Sequence, residues 1–345
     1  MPQPENQQTS QSVPPQVAMM QMATGYWVSQ SLYAAAKLGI ADLLKDGSKS
    51  YDELATATAV KARPLYRLLR GLASVGVFSE TEPGYFTLTP LAACLQTDII
   101  GSMRAVVTIL GEEEYQAWGD ILYSLRTGGS AFEHIYKMPL FQYHAQKPEQ
   151  GKTFNEAMTN YSSTEDFEIV TSYDFSGIHK LVDVGGGQGN LIASILKANP
   201  TMQGILFDLP NVIVGAKNLI DAAGVENRCS LIAGDFFDSV PSAGDAYLLK
   251  HIIHNWEDES ARAILKNCHR AMVENDKLLV IEEVIPPGNE PSLSKLFDLT
   301  MMVLFPGACE RTEVEYRSLF EACGFRLNKI HPTRAGTSVI EGIRV

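Results

Sequence analysis

Residues Leu181–Pro200 read LVDVGGGQGNLIASILKANP. A short apolar run ends in Asp183, the chain passes through Gly185-Gly186-Gly187-Gln188-Gly189, and a stretch of helical periodicity follows. The spacing predicts a β-strand feeding a helix through a glycine turn, a geometry that aims backbone N–H groups and a helix N-terminus at a ligand. The loop is G-x-G-x-G rather than the G-x-G-x-x-G of dinucleotide sites, because position 190 is Asn190. With a carboxylate just upstream, it suits a ligand carrying a cationic ammonium group better than a pyrophosphate. Taken alone, it reads equally as a plain tight strand–helix turn.

Downstream of the loop, the strand-like runs LVDV, GILFD, CSLIAGD, AYLLK and KLLVIEEV alternate with helical segments. This alternation predicts an α/β fold with a doubly wound parallel sheet. Ligands of such sheets lie beyond the carboxyl ends of the strands. Those ends carry Asp183 and the glycines, then Asp208, then Asp235 and Phe236, then Lys250, His251 and His254, and finally Glu282. Asp208 stands where an acid accepts hydrogen bonds from ribose hydroxyls, and Asp235 could bond an adenine amino group with Phe236 flanking the ring. Any one of these acids is more often a helix cap. Together, in order, they point to one adenosine-containing ligand with a positive tail.

Upstream, residues 1–16 are polar and rich in Pro and Gln and are expected to form a loose tail. Residues 17–100 are expected to form one domain, 101–175 a helical linker contributing to an acceptor pocket, and 176–345 the ligand-binding domain. Within 17–45, Met19, Met20, Met22, Tyr26, Trp27, Leu32 and Tyr33 recur at helical spacing with few charges. Such a helix needs cover, from a second subunit or from an internal core. Ser50 and Glu53 have capping-box spacing ahead of a short helix. A turn, a second helix through Leu72 and a hairpin around Glu82–Gly84 complete a winged-helix pattern. Lys61, Arg63, Arg67 and Arg70 put positive charge on that second helix, so a DNA-binding regulator is a rival reading. The alternative is a solvated face on an interaction domain.

Bulk composition bounds the choice. The chain has 345 residues, 45% hydrophobic and 20% charged, with formal net charge −12. That balance opposes general polyanion binding, which needs cationic groups to displace phosphate counterions. The five cysteines, Cys94, Cys229, Cys268, Cys309 and Cys323, form no CxxC pair, so neither a zinc site nor a disulfide framework is expected. Reduced thiols, no apolar run near membrane-spanning length and no signal-peptide pattern lead to the expectation of a cytoplasmic protein with no membrane partner.

Five segments then act together: DVGGGQG (183–189), FDLP (207–210), GDFF (234–237), LLKHIIHNWEDE (248–259) and PGACERTEVEY (306–316). They resemble the S-adenosylmethionine-dependent small-molecule O-methyltransferases, the group of the caffeic acid and hydroxyindole enzymes and their bacterial natural-product relatives. The N-terminal helices and winged-helix pattern are similar to that family's dimerisation domain, so the resemblance covers nearly the whole chain. It implies a Rossmann-like class I methyltransferase sheet behind an N-terminal helical, winged-helix-like dimerisation domain, and a homodimer. It also implies S-adenosylmethionine as cofactor and methyl transfer to a hydroxyl of a small aromatic molecule. Gly185 and Gly187 with Asp183 would hold the methionine part, Asp208 the ribose, and Asp235 with Phe236 the adenine, with Lys250 also in contact. His254 would be the general base, flanked by Glu282 and Glu310.

The chemistry suits these roles. A sulfonium already carries an activated methyl and a leaving group. The protein must align an oxygen nucleophile, worth ~7–11 kcal/mol, and take its proton, worth about 10²–10⁴-fold. Histidine offers a neutral imidazole near neutral pH, and a carboxylate beside it fixes the tautomer. His251, three residues before His254, has a spacing seen in metal sites, but no third ligand has a motif, so no metal is expected. His269 flanks an apolar helical stripe and reads as structural, while His134, His144, His179 and His331 carry no motif.

Departures from the plant pattern concern the acceptor. Asn255 stands where aspartate is common, Leu304-Phe305 where His-Asn is common, and Cys309 where lysine is common. Met158, Met301, Met302, Leu304 and Phe305 are expected to line the acceptor pocket, methionine being adaptable in shape. A same-fold enzyme acting on nitrogen or carbon, or not methylating at all, stays open beside this reading.

Overall fold

The computed structural model describes residues 13–99 and 101–345, so most of the expected 1–16 tail lies outside the described residues. Two compact units divide the chain, Met1–Glu112 and Glu113–Val345. Among the described residues, no helix is long and apolar enough to cross a membrane.

In the first unit the expected apolar stretch is broken into helices Pro15–Ala23, Gly25–Lys37 and Ile40–Leu43. The second break falls at Gly39, whose φ of 66° favours glycine. The first of these helices buries none of its side chains, and Met19, Met20, Met22, Tyr26 and Trp27 are each at least 50% exposed. Strand β1 (Lys49–Ser50) leads into helix Tyr51–Thr58, which opens with the anticipated capping box: Ser50 Oγ accepts from Glu53 N, and the Glu53 carboxylate accepts from Ser50 N at 2.8 Å. Helix Ala62–Ser74 and strands β2 (Phe78–Glu82) and β3 (Tyr85–Leu88) complete the winged-helix arrangement, in the sheet order β1-β3-β2. Leu54, Leu65, Leu69, Leu72, Phe78 and Phe86 form its core.

The first compact unit runs on to Glu112, past the boundary expected at residue 100. Helix Arg104–Gly111 closes onto helix Gly25–Lys37 so tightly that a Cβ on Gly111 would come within 2.3 Å of the Tyr33 side chain. The boundary expected at 175 is likewise absent, because helices from Glu113 to Ser172 belong to the second unit.

The second unit is built on strands β4 (Lys180–Val184), β5 (Gln203–Asp208), β6 (Cys229–Ala233), β7 (Ala246–Lys250), β8 (Lys277–Ile285), β9 (Arg311–Thr312), β10 (Phe325–Pro332) and β11 (Thr337–Arg344). The order is β10-β11-β8-β7-β4-β5-β6, with β9 beside β8. The strands read from the sequence, β4 to β8, are parallel as expected; the hairpin β10–β11 adds an antiparallel edge and makes the sheet mixed.

Period-two alternation dresses both faces. Leu278 and Val280 of β8 pack with Ile264, Leu265, Tyr316 and Phe320 on one side, and Leu279 and Ile281 pack with Ile192, Ile195 and Ile220 on the other. Because β4 has β5 on one side and β7 on the other, the winding reverses there, and the crevice opens above the glycine loop and the end of β7.

Candidate active site

The glycine loop makes two kinds of space. Gly185 (φ 73°) donates its N–H to the Phe207 carbonyl at 2.8 Å, and Gly187 (φ 60°) donates to Asp208 Oδ2 at 2.8 Å. A Cβ on Gly185 would press within 2.6 Å of Ile252, whereas one on Gly187 would meet nothing within 4 Å. Gly187 therefore borders an open cradle. Beside it, Asp183 is 2% exposed and its Oδ2 has no hydrogen-bond partner among the described residues. Burial, with the charges of Asp166 and Asp208, pushes this carboxyl up to about 8 against the pull of Lys250. An unpartnered buried acid next to an open glycine cradle fits a cationic group.

Beyond β6, Asp235 Oδ1 accepts from Phe237 N at 2.8 Å. Rings of Phe236 and Phe237 lie 5.1 Å apart and Phe237 meets Trp256 edge-on at 4.8 Å. Asn267 fixes this loop by donating its side-chain amide to the carbonyls of Phe236 and Phe237, each at 2.8 Å. The set of aromatic faces, strand-end acids and unpartnered Asp183 fits S-adenosylmethionine. Lys250, expected at the cofactor, stands at the end of β7. Its ammonium is held by Asp166 at 2.6 Å and Glu165 at 3.1 Å, both on helix Pro148–Ser172. The strand-end reading carried no signal for either acid.

His254 sits in a 3₁₀ turn, Ile253–Asn255, just past β7 and is 5% exposed. Its Nδ1 lies 2.6 Å from Glu310 Oε1. Glu282 was expected at the ring as well, but it holds the main chain: Oε1 accepts the His254 backbone N–H at 2.9 Å, and the Tyr316 hydroxyl donates to Oε2. Alternation explains this, since Glu282 shares the face of Leu278 and Val280 that packs on Tyr316. Burial depresses the proton affinity of His254, but the Glu310 hydrogen bond and the charges of Glu282 and Glu310 outweigh it and leave the imidazole above its ordinary value. Burial also raises Glu310, opposed by its bond to His254.

Residues 309–311 grip the turn. Cys309 N donates to the His254 carbonyl at 3.0 Å, Glu310 N donates to Asp298 Oδ1 at 2.8 Å, and Arg311 donates to the carbonyls of Ile253 and Trp256 and to Asp258. Arg311 and Tyr316 lie in the segment PGACERTEVEY without having been singled out, and Asp298 carries no motif.

On helix Leu293–Leu304, Met301 and Leu304 are buried and Met302 and the following Phe305 half-buried. Met302, Leu304 and Phe305 converge with Phe132, Leu140, Tyr143 and Phe154 in one cluster. Met158, one turn beyond Phe154, is 39% exposed. Phe297 of the same helix brings its ring centroid 6.4 Å from that of His254, so the cluster's helix also borders His254.

This arrangement has relatives. The O-methyltransferase domain model matches residues 118–326, and the O-methyltransferase dimerisation domain model matches residues 20–98. Phenazine O-methyltransferase PhzM of Lysobacter antibioticus is 47% identical over 330 residues, covering 96% of both chains. The 8-amino-8-demethylriboflavin N,N-dimethyltransferase of Streptomyces davaonensis is 34% identical over 315 residues, covering 90% of both. The solved structure of CalO1, a methyltransferase of calicheamicin biosynthesis in its SAH-bound form, superposes with a TM-score of 0.86 at 34% identity, over 96% of this chain and 98% of that one. SAH is S-adenosylmethionine without its methyl group. The chain thus belongs to the O-methyltransferase family, as a methyltransferase that carries a dimerisation domain and uses S-adenosylmethionine as its cofactor.

Proposed function

We propose that the protein methylates a hydroxyl of a small fused-ring aromatic of phenazine type, with His254 as the general base, and works as a cytoplasmic homodimer. The observation that carries this is the His254–Glu310 pair: with Nδ1 occupied at 2.6 Å, Nε2 is the ring nitrogen left for an acceptor proton. A phenolic hydroxyl gains much of its nucleophilicity on losing a proton, whereas a neutral amine attacks through its lone pair first. A buried, carboxylate-backed imidazole therefore favours oxygen over nitrogen. The 47% identity to a phenazine O-methyltransferase supports the ring class.

Asp183, Gly185, Gly187, Asp208, Asp235 and Phe236 would hold the cofactor, whose sulfonium supplies an activated methyl when bound. His254 Nε2 takes the hydroxyl proton. Glu310 accepts the Nδ1–H, which fixes the tautomer and stabilises the imidazolium. Glu282, itself held by Tyr316, anchors the turn that aims the ring. Met158, Met301, Met302, Leu304 and Phe305 supply apolar cover for the acceptor. The exposed apolar face of helices Pro15–Ala23 and Gly25–Lys37 supports pairing with a second copy.

The nitrogen reading keeps one supporting observation, the riboflavin-type N,N-dimethyltransferase relative. The deciding assay follows S-adenosylhomocysteine release with 1-hydroxyphenazine and 1-aminophenazine, in wild type and His254→Ala. Hydroxyl turnover is expected to fall about 10²–10⁴-fold in the variant. Turnover of the amine alone, surviving the substitution, would assign nitrogen instead.

A further inference from the structure

Asp235, Phe236 and Phe237 form a turn just past β6, and Asp235 closes it from within. Its Oδ1 accepts the Phe237 N–H at 2.8 Å, and its carbonyl accepts from Asp238 N at 3.0 Å and Ser239 N at 3.1 Å. Oδ2 is then the carboxylate oxygen left for an adenine amino group. The Phe236 ring borders the glycine loop, with an edge atom 3.5 Å from where a Cβ on Gly185 would stand.

From without, one side chain holds this turn. Asn267 of helix Asp258–Ala271 is 5% exposed and donates Nδ2 to the successive carbonyls of Phe236 and Phe237, each at 2.8 Å. The amide nitrogen has two N–H groups, one for each carbonyl. Successive carbonyls of an extended chain point apart, so two that converge on one amide fix a bend between them. Arg270, one turn further along the helix, donates Nη1 to Asn267 Oδ1 and decides which end of the amide faces the turn. Every polar atom of this buried side chain is spent on the turn or on its own orientation, and none on the backbone of its own helix. A turn ordered in advance costs the cofactor no binding free energy to arrange, and a hydrogen bond to it weakens steeply with misplacement. We propose that Asn267, oriented by Arg270, is a positioning residue for the adenine, holding Asp235 and Phe236 where they select the amino-bearing ring. It acts through the turn rather than on the cofactor. The proposal rests on Asp235 and Phe236 as the adenine contacts.

The test is calorimetry on the full chain with S-adenosylhomocysteine and with its analogue in which hydrogen replaces the adenine amino group. Wild type is expected to prefer the amino form by about tenfold or more, the worth of a hydrogen bond to a charged group. Asn267→Asp keeps the shape and the Arg270 pairing but offers no N–H to the two carbonyls, and its preference should shrink to within about twofold of parity. A side chain that merely filled space would weaken both ligands alike and leave the preference intact. Arg270→Ala, at an exposed position, should move the preference in the same direction by a smaller factor, so it decides where Asn267→Asp does not fold. Asp235→Asn, whose amide cannot accept on both sides, tests the underlying reading: a preference that survives it overturns the adenine assignment and the proposal together. A preference lost in Asp235→Asn but unmoved in Asn267→Asp, or in Arg270→Ala where that decides, overturns the proposal alone.

Discussion

Glu310 and Tyr316 act on the proposed base, His254, from different directions. Glu310 touches the imidazole and raises its proton affinity, so replacing it has two separable effects. In Glu310→Gln the acid limb of kcat/KM should move to lower pH, because His254 loses the charge that favours its protonated form. The plateau should also drop by about one to two orders of magnitude as the imidazolium loses its counter-charge. A pH–rate profile checks both, and a limb that moves up would refute the pairing. Tyr316→Phe removes the donor to Glu282 Oε2, where Glu282 is fully buried. An unsatisfied buried carboxylate oxygen costs about 1–3 kcal/mol, to be read as a lower denaturation midpoint with unchanged cofactor affinity.

The strand-to-helix turn of β4 carries its own strain. Asp183 binds its proton up to about 8, against an ordinary value of 3.8. The folded chain therefore keeps a proton that the unfolded chain releases, so this group's contribution falls as pH rises from about 4 to about 8 and levels off beyond. In the cofactor-free protein, Asp183→Asn should flatten that slope and raise the melting temperature at pH 8, while weakening S-adenosylmethionine binding by more than tenfold in calorimetry. An unchanged slope would remove Asp183 from the account. This turn was readable from sequence because glycines, strand and acid are contiguous, and the same holds for the capping box at Ser50. Lys250 and Asp166, by contrast, are separated by 84 positions, and no local pattern announces that they meet. Glu282 was identified as a neighbour of His254, but its grip on the main chain follows from which face of β8 it occupies. The extent of the first unit to Glu112 was hidden for a similar reason: helical periodicity continues past residue 100, and long-range ties such as Gly111 against Tyr33, Arg104 to Asp42 and Lys37 to Glu112 assign that helix to the first unit.

At the scale of the whole molecule, Met19, Met20, Met22, Tyr26 and Trp27 form an exposed apolar N-terminal surface. Met20, Met22, Tyr26 and Trp27 lie inside the matched dimerisation domain, which leads to a direct expectation. Met20→Glu combined with Trp27→Glu should convert a dimer to a monomer in light scattering, with the melting transition of the second unit retained. A wild-type protein already monomeric at micromolar concentration would contradict the homodimer. The helix Ala62–Ser74, source of the rival DNA reading, buries Leu65, Leu69 and Leu72 in the core of this unit and keeps Arg63, Arg67 and Arg70 exposed, Arg70 lying over the Tyr66 ring at 5.4 Å.

The grip of Cys309, Glu310 and Arg311 on the His254 turn leaves its mark on how such an enzyme can change. His254 and Glu310 are fastened to each other through a three-residue clasp, and helix Leu293–Leu304 reaches that clasp through Asp298 and the His254 ring through Phe297. Substitutions farther along the helix, at Met301, Met302 and Leu304, are expected to reshape the acceptor side while leaving the His254–Glu310 bond in place. Recognition and chemistry would then change separately, one residue at a time.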